Sequence, residues 1–113
     1  MARKNHKRTC YVLAVDWELY GDRDNTVSLY SSLKKAQEEL TKGLKNDFKE
    51  YANRFDEFEY DDLDDEGRTV HNSVPFEVLS GNGDKPLNTK WATLYSNYDS
   101  DFITYCIRKE EIQ

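Results

Sequence analysis

A chain of 113 residues has room for one domain and one core. At 37% hydrophobic and 34% charged it is short of aliphatic material, so burial must draw on its two Trp, eight Tyr and five Phe, enough to exclude a chain too polar to fold. The formal net charge of −6 is unevenly placed: "MARKNHKR" (1–8) is basic, whereas residues 47–66 are dominated by acids opposed only by Lys49 and Arg54.

The basic start is not followed by an apolar signal core, and no apolar run downstream approaches the roughly 18 residues of a membrane span. The expectation is a cytoplasmic protein with a flexible tail at 1–8 and a single domain over 9–113. In "TCYVLAVDWELY" (9–20), Tyr11, Leu13, Val15, Trp17 and Leu19 alternate with Cys10, Val12, Ala14, Asp16 and Glu18, the period-two pattern of a strand. "GDRDN" (21–25) has the composition of a hairpin loop and "TVSLY" (26–30) of the returning strand. Ser31 and Ser32 offer capping hydroxyls. From there Leu33, Ala36, Leu40, Leu44, Phe48, Tyr51, Ala52 and Phe55 recur at helical spacing, predicting a helix from 33 to about 55. Gly43 weakens that helix by roughly 1 kcal/mol relative to Ala without breaking it.

An acidic segment at 56–66 and the turn-rich "TVHNSVPFEVLSGNGDKPLNTK" (69–90) then read as one long loop, with a short extended piece from Pro75 to Leu79. "KWATLYSN" (90–97) and "FITYCIRKEEI" (102–112) form a second hairpin. The predicted fold is α+β: two β-hairpins forming an antiparallel sheet packed against one amphipathic helix, in the order ββα-loop-ββ. Cys10 and Cys106 each fall in a strand-like run, lack the spacing of a zinc site and read as free thiols, with a bridge allowed only if their strands are neighbours.

Catalysis finds little footing. His6 lies in the tail, which leaves His71 as the one candidate base. "GNG" lacks the length and the Lys-Ser/Thr ending of a phosphate loop. The run from Asp62 places Asp62, Asp64, Glu66 and Gly67 at positions one, three, five and six of a calcium loop, but Ser73 stands where a bidentate Glu is required. Neither metal nor cofactor is expected, and the chain is not expected to be an enzyme. The acidic segment remains as a protein-binding surface made by Asp56, Glu57, Phe58, Glu59, Tyr60, Asp61, Asp62, Asp64, Asp65 and Glu66, with carboxylates steering a basic partner and rings anchoring it. Phe58 and Tyr60 carry a second reading, in which they fold back onto the sheet.

The opening "CYVLAVDWE", the helix start "SLKKAQEEL" and the closing "IRKEEIQ" resemble small accessory proteins carried by phages and mobile elements of Gram-positive bacteria. That resemblance implies an inhibitor that presents an acidic surface, in mimicry of nucleic acid, to the groove of a host nuclease or another nucleic-acid-binding protein. Two other readings stand beside it. One is a nucleic-acid-binding regulator using the basic tail, with Tyr11 or Tyr30 for stacking, opposed by the acidic body. The other is a small enzyme acting through His71.

Overall fold

The computed structural model describes residues 8–51, 55, 57–63, 66, 68–75, 85–96 and 100–112. The described elements are β1 (Arg8–Leu19), β2 (Asp22–Tyr30), α1 (Leu33–Glu50), β3 (Glu57–Leu63), β4 (Thr69–Pro75), β5 (Thr89–Tyr95) and β6 (Phe102–Ile112). The six strands form one sheet in the order β2-β1-β6-β5-β3-β4, every neighbouring pair antiparallel. The α+β class stands, but the arrangement of two hairpins and a loop does not. Residues 57–63 of the acidic segment form an interior strand paired on both sides, from Glu57↔Pro75 to Leu63↔Thr69 with β4 and from Glu57↔Tyr95 to Asp62↔Thr89 with β5. Its period-two pattern, Phe58 and Tyr60 against Glu59 and Asp61, is that of a half-buried strand, disguised by the density of acids. The extended piece expected from Pro75 ends at Pro75 in the described chain, as the last residue of the edge strand β4; residues 76–84 lie outside the described ones.

Local chemistry sets the boundaries. The first hairpin turns on two residues, Tyr20 and Gly21, with φ of 55° and 87°, and Leu19 pairs directly with Asp22. A turn with both central residues left-handed matches the twist of the flanking strands, so Asp22–Asn25, expected in the loop, belong to β2. Gly21 takes that conformation freely, and Tyr20 takes it with its N–H held 3.3 and 3.4 Å from the two carboxylate oxygens of the buried Asp101. The helix starts as expected: Ser32 Oγ accepts the Lys35 N–H at 3.1 Å. It stops at Glu50 with Tyr51 as its cap, short of the expected residue 55. Residues 52–54 lie outside the described chain, and Phe55, whose N–H donates to the Tyr51 carbonyl at 3.3 Å, still reaches the core.

The helix lays Ala36, Leu40, Leu44 and Phe48 on one face of the sheet, against Leu13, Phe58, Ala92, Leu94, Ile103, Tyr105 and Ile107. Two buried polar residues on the same helical stripe tie the approach to β5 to the helix. Gln37 Nε2 donates to Asn88 Oδ1 at 3.3 Å and to the Thr89 carbonyl at 3.1 Å, while Thr41 donates to the Gln37 carbonyl at 2.8 Å and accepts the Leu87 N–H at 2.9 Å. Buried groups without partners would be costly, and among the described residues no buried side-chain polar atom lacks one.

Both cysteines are half-buried and free. Their strands are neighbours, but Cys10 stands opposite Glu110 and Cys106 opposite Ala14. That offset of four positions separates them by about 13 Å, twice what a disulfide spans.

Two substitutions test the packing. Leu40→Asp, at a fully buried position, abolishes cooperative melting. Gly43→Ala acts in the opposite direction: the added Cβ meets Tyr105 Cε2 at 3.5 Å, an ordinary contact, so the helix gains about 0.5–1 kcal/mol and Tm rises by about 2–5 °C. A lower Tm for Gly43→Ala, measured by circular dichroism, would mean the helix sits closer to β6 than described.

Candidate functional site: the uncovered sheet face

Strand alternation fixes what the other face presents. Residues one removed from the core positions point away from the helix: Val12, Ala14, Asp16 and Glu18 on β1, Phe102, Thr104, Cys106 and Arg108 on β6, Trp91, Thr93 and Tyr95 on β5, Glu59 and Asp61 on β3 and His71 on β4. Cross-strand contacts agree with this placement. The hydroxyls of Thr93 and Thr104 are 2.9 Å apart, Arg23 Nη2 reaches Asp16 Oδ2 at 3.4 Å, and the Arg23 guanidinium lies 5.9 Å from the centre of the Phe102 ring. No described helix or strand lies over this face, on which Val12 and Thr93 are nevertheless buried.

Its most organised corner is at β3 and β4. His71 is placed opposite Asp61 by the hairpin register, with Nδ1 3.0 Å from Asp61 Oδ1 and Nε2 3.5 Å from Glu59 Oε1. The indole of Trp91 lies 6.2 Å away, centre to centre. Asp61 is held in place by a local irregularity: the β3–β5 register shifts between Tyr60 and Asp62, and the Thr89 hydroxyl fills the gap, 2.6 Å from the Asp61 carbonyl, while accepting the Trp91 N–H at 3.1 Å. A carboxylate at each ring nitrogen favours the imidazolium, which alone donates from both. The hydrogen bond to Asp61, with Glu59 behind it, accordingly lifts His71 above the ordinary histidine value.

The residues predicted as a protein-binding segment divide between environments. Phe58 is 1% exposed and belongs to the core; Tyr60 packs against that core, stacked on Phe58 with ring centres 5.6 Å apart, and burial raises its phenol above the usual value. Glu59 and Asp61 are on the uncovered face. Asp62 is half-buried within β3, paired with Val70 and Thr89, so its backbone lies in a sheet rather than curling around an ion. Glu66 is exposed and 2.9 Å from Arg68. Glu57 is described as strand backbone, and Asp56, Asp64, Asp65 and Gly67 lie outside the described residues. Tyr11 and Tyr30, considered as stacking platforms, are paired across β1 and β2 and pack against the core. Among the described residues no group of three or more His, Cys, Asp or Glu is placed to hold a metal, and no helix is long and apolar enough to cross a membrane.

Trp91, Tyr95 and Phe102 escaped the sequence reading as surface groups, although the alternation of Trp91, Thr93 and Tyr95 with the core residues Ala92 and Leu94 carries the signal. Compared with known protein families, with curated proteins and with solved structures, the chain matches none.

The histidine cluster makes stability depend on pH in a defined direction. A group whose pKa is raised in the fold contributes fully below its unfolded value, about 6.5 for histidine, and loses that contribution as pH climbs through the higher folded value. The Tm of the native chain should therefore exceed that of His71→Gln most at about pH 5.5 and converge on it toward about pH 8.5. A gap that is constant across this range would show that the ring is not coupled to Glu59 and Asp61.

Proposed function

We propose that the protein is a non-catalytic binding module whose sheet face opposite the helix docks on the basic surface of another protein. The observation that carries this reading is the composition of that face: Trp91, Tyr95 and Phe102, half-buried, lie among Asp16, Glu18, Glu59 and Asp61 with no described element over them. Rings on rigid strands offer contact area at little entropic cost, and carboxylates around them steer a cationic partner and repel wrong ones. The same carboxylates argue against the nucleic-acid-binding reading, because a sheet that stacks bases on its aromatics relies on cationic side chains to hold the phosphates. The catalytic reading is weakened by the engagement of both His71 nitrogens with carboxylates, which favours an imidazolium with no lone pair to accept a proton.

Within that class, the finer proposal is a cytoplasmic accessory protein of a phage or mobile element that occupies the groove of a nucleic-acid-handling enzyme. The resemblance of "CYVLAVDWE" and "IRKEEIQ" to such proteins and the acidic character of β3 support it.

The test is affinity capture from host cells, followed by measured association of the partner retained at physiological salt. Glu59→Gln combined with Asp61→Asn should slow association several-fold and flatten its salt dependence, and duplex DNA should compete for the partner. Should the double variant fold and associate at the native rate with the native salt dependence, the contact lies elsewhere on the molecule.

A further inference from the structure

On the opposite side of the sheet, a cavity of about 330 Å³ lies between α1 and the β1–β2 hairpin. That is near the lower limit of small-molecule sites, roughly 300 Å³. One wall is the helical stripe Glu39, Gly43 and Asp47, spaced by four, where Gly43 has no side chain to fill the space. The facing wall is the core side of β1, with Leu13, Val15, Trp17 and Leu19 at alternate positions. Tyr105 reaches in from β6, donating its hydroxyl hydrogen bond to the Asp47 carboxylate with the Gly43 carbonyl 3.4 Å away, and Tyr51 closes the helix end.

The charged groups that line this cavity are carboxylates. Glu39 and Asp47 are the charged residues among the described lining, and no Lys, Arg or His joins them. Glu39 is engaged by Lys35 at 3.1 Å and by Lys42 at 3.6 Å. Asp47 stands in the last turn of α1, where the helix carbonyls add partial negative charge, and its described side-chain partner is the neutral phenol of Tyr105. Burial, with Glu50 nearby, pushes its carboxyl above the usual range, against the hydrogen bond from Tyr105. The faces of Trp and Tyr attract cations as well. A neutral apolar guest would desolvate Asp47 further, and an anion would meet the Asp47 carboxylate directly.

We propose that this cavity binds a small amphipathic organic ammonium ion, with its apolar part against Leu13, Val15 and Ile103 and its charged head between Asp47 and the rings of Trp17 and Tyr51. The site is independent of the docking face, being on the other side of the sheet.

The experiment uses three probes of similar shape and different charge: phenethylammonium, 3-phenylpropan-1-ol and 3-phenylpropionate. Binding is read by calorimetry on the native chain and by fluorescence of Trp91→Phe, in which Trp17 is the sole tryptophan. Phenethylammonium should bind saturably, the alcohol at least tenfold more weakly and the carboxylate not measurably. Asp47→Asn should weaken the ammonium at least tenfold, and Gly43→Leu, which fills the cavity, should abolish binding. Absence of phenethylammonium binding, equal binding of the alcohol or the carboxylate, or undiminished binding by a folded Asp47→Asn would each overturn the proposal. If Asp47→Asn does not fold, the charge series on the native chain decides alone. N-acetyl-lysine methylamide binding in preference to phenethylammonium would also overturn it, and would assign the cavity to a lysine side chain of a protein partner.

Discussion

The pairing of β1 with β6 runs from Arg8↔Ile112 to Glu18↔Phe102, and β2 and β5 reach the sheet through one of these two strands. The first and last strands of the chain order therefore pair with each other, second and third across the sheet. Such pairing closes a loop of nearly the whole chain before it returns any stabilisation, a cost that grows slowly with loop length but must be met early. What makes it favourable is burial along the seam: Leu13 opposite Ile107 and Val15 opposite Tyr105 lie under the helix, and Val12 is 4% exposed on the other face. A slip of one residue would turn Leu13, Ile107 and Tyr105 outward together, so the seam has one register. The contact of the Tyr20 N–H with buried Asp101 pins that register at the hairpin end, from the residue that precedes β6.

A second constraint is width. Six strands at about 4.8 Å spacing make a sheet roughly 24 Å across, whereas one helix with its side chains covers about 10 Å. α1 packs over β2, β1, β6 and β5, and large side chains fill the space beside it. Tyr60, stacked on Phe58, and Leu87, tied to Thr41, fill the β5–β3 side. On the β1–β2 side Trp17, Leu19 and Tyr51 stand around a cavity that Gly43 leaves open. The cavity thus lies between the helix and the hairpin it packs against, at the point where Gly43 supplies no side chain.

How much was legible follows from which periodicities were undisguised. The first hairpin, the start of the helix at Ser32 and the final strand all showed in their alternation or spacing, because apolar and polar positions there differ plainly. Three features did not show. β3 was hidden because four of its seven residues are carboxylates beside Phe58 and Tyr60, and a charge run reads as solvated unless one face is tested for period two. The Tyr20–Gly21 turn was missed because a bulky residue at positive φ is uncommon, and "GDRDN" next to it has the better composition. The end of α1 was overshot because Tyr51 and Phe55 continue the helical spacing into the core from a segment beyond the cap. The cluster of His71 with Glu59 and Asp61 joins residues ten and twelve apart through a hairpin, so it becomes visible only once the β3–β4 register is known.

The position of β3 explains why its carboxylates are tolerable. Placed between β5 and β4, it has its backbone satisfied on both sides and Phe58 buried below, so the repulsion among its acids acts on an element that cannot easily leave the sheet. On the face away from the helix the repulsion between Glu59 and Asp61, two residues apart, is offset by the ring of His71 between them. That compensation varies with pH: as His71 loses its proton, the corner formed by β3, β4 and Trp91 becomes more negative. The β1–β2 side differs in kind. Arg23 pairs with Asp16 and lies over Phe102, both fixed contacts, and beyond them Val27 and Leu29 stand 61% and 64% exposed on the edge strand. The face accordingly grades from titratable and anionic at β3–β4 to charge-paired and then aliphatic at β2. A partner that is basic along one margin and apolar along the other would meet complementary chemistry across the whole sheet, with the β3–β4 margin setting its approach and the β2 margin contributing buried area.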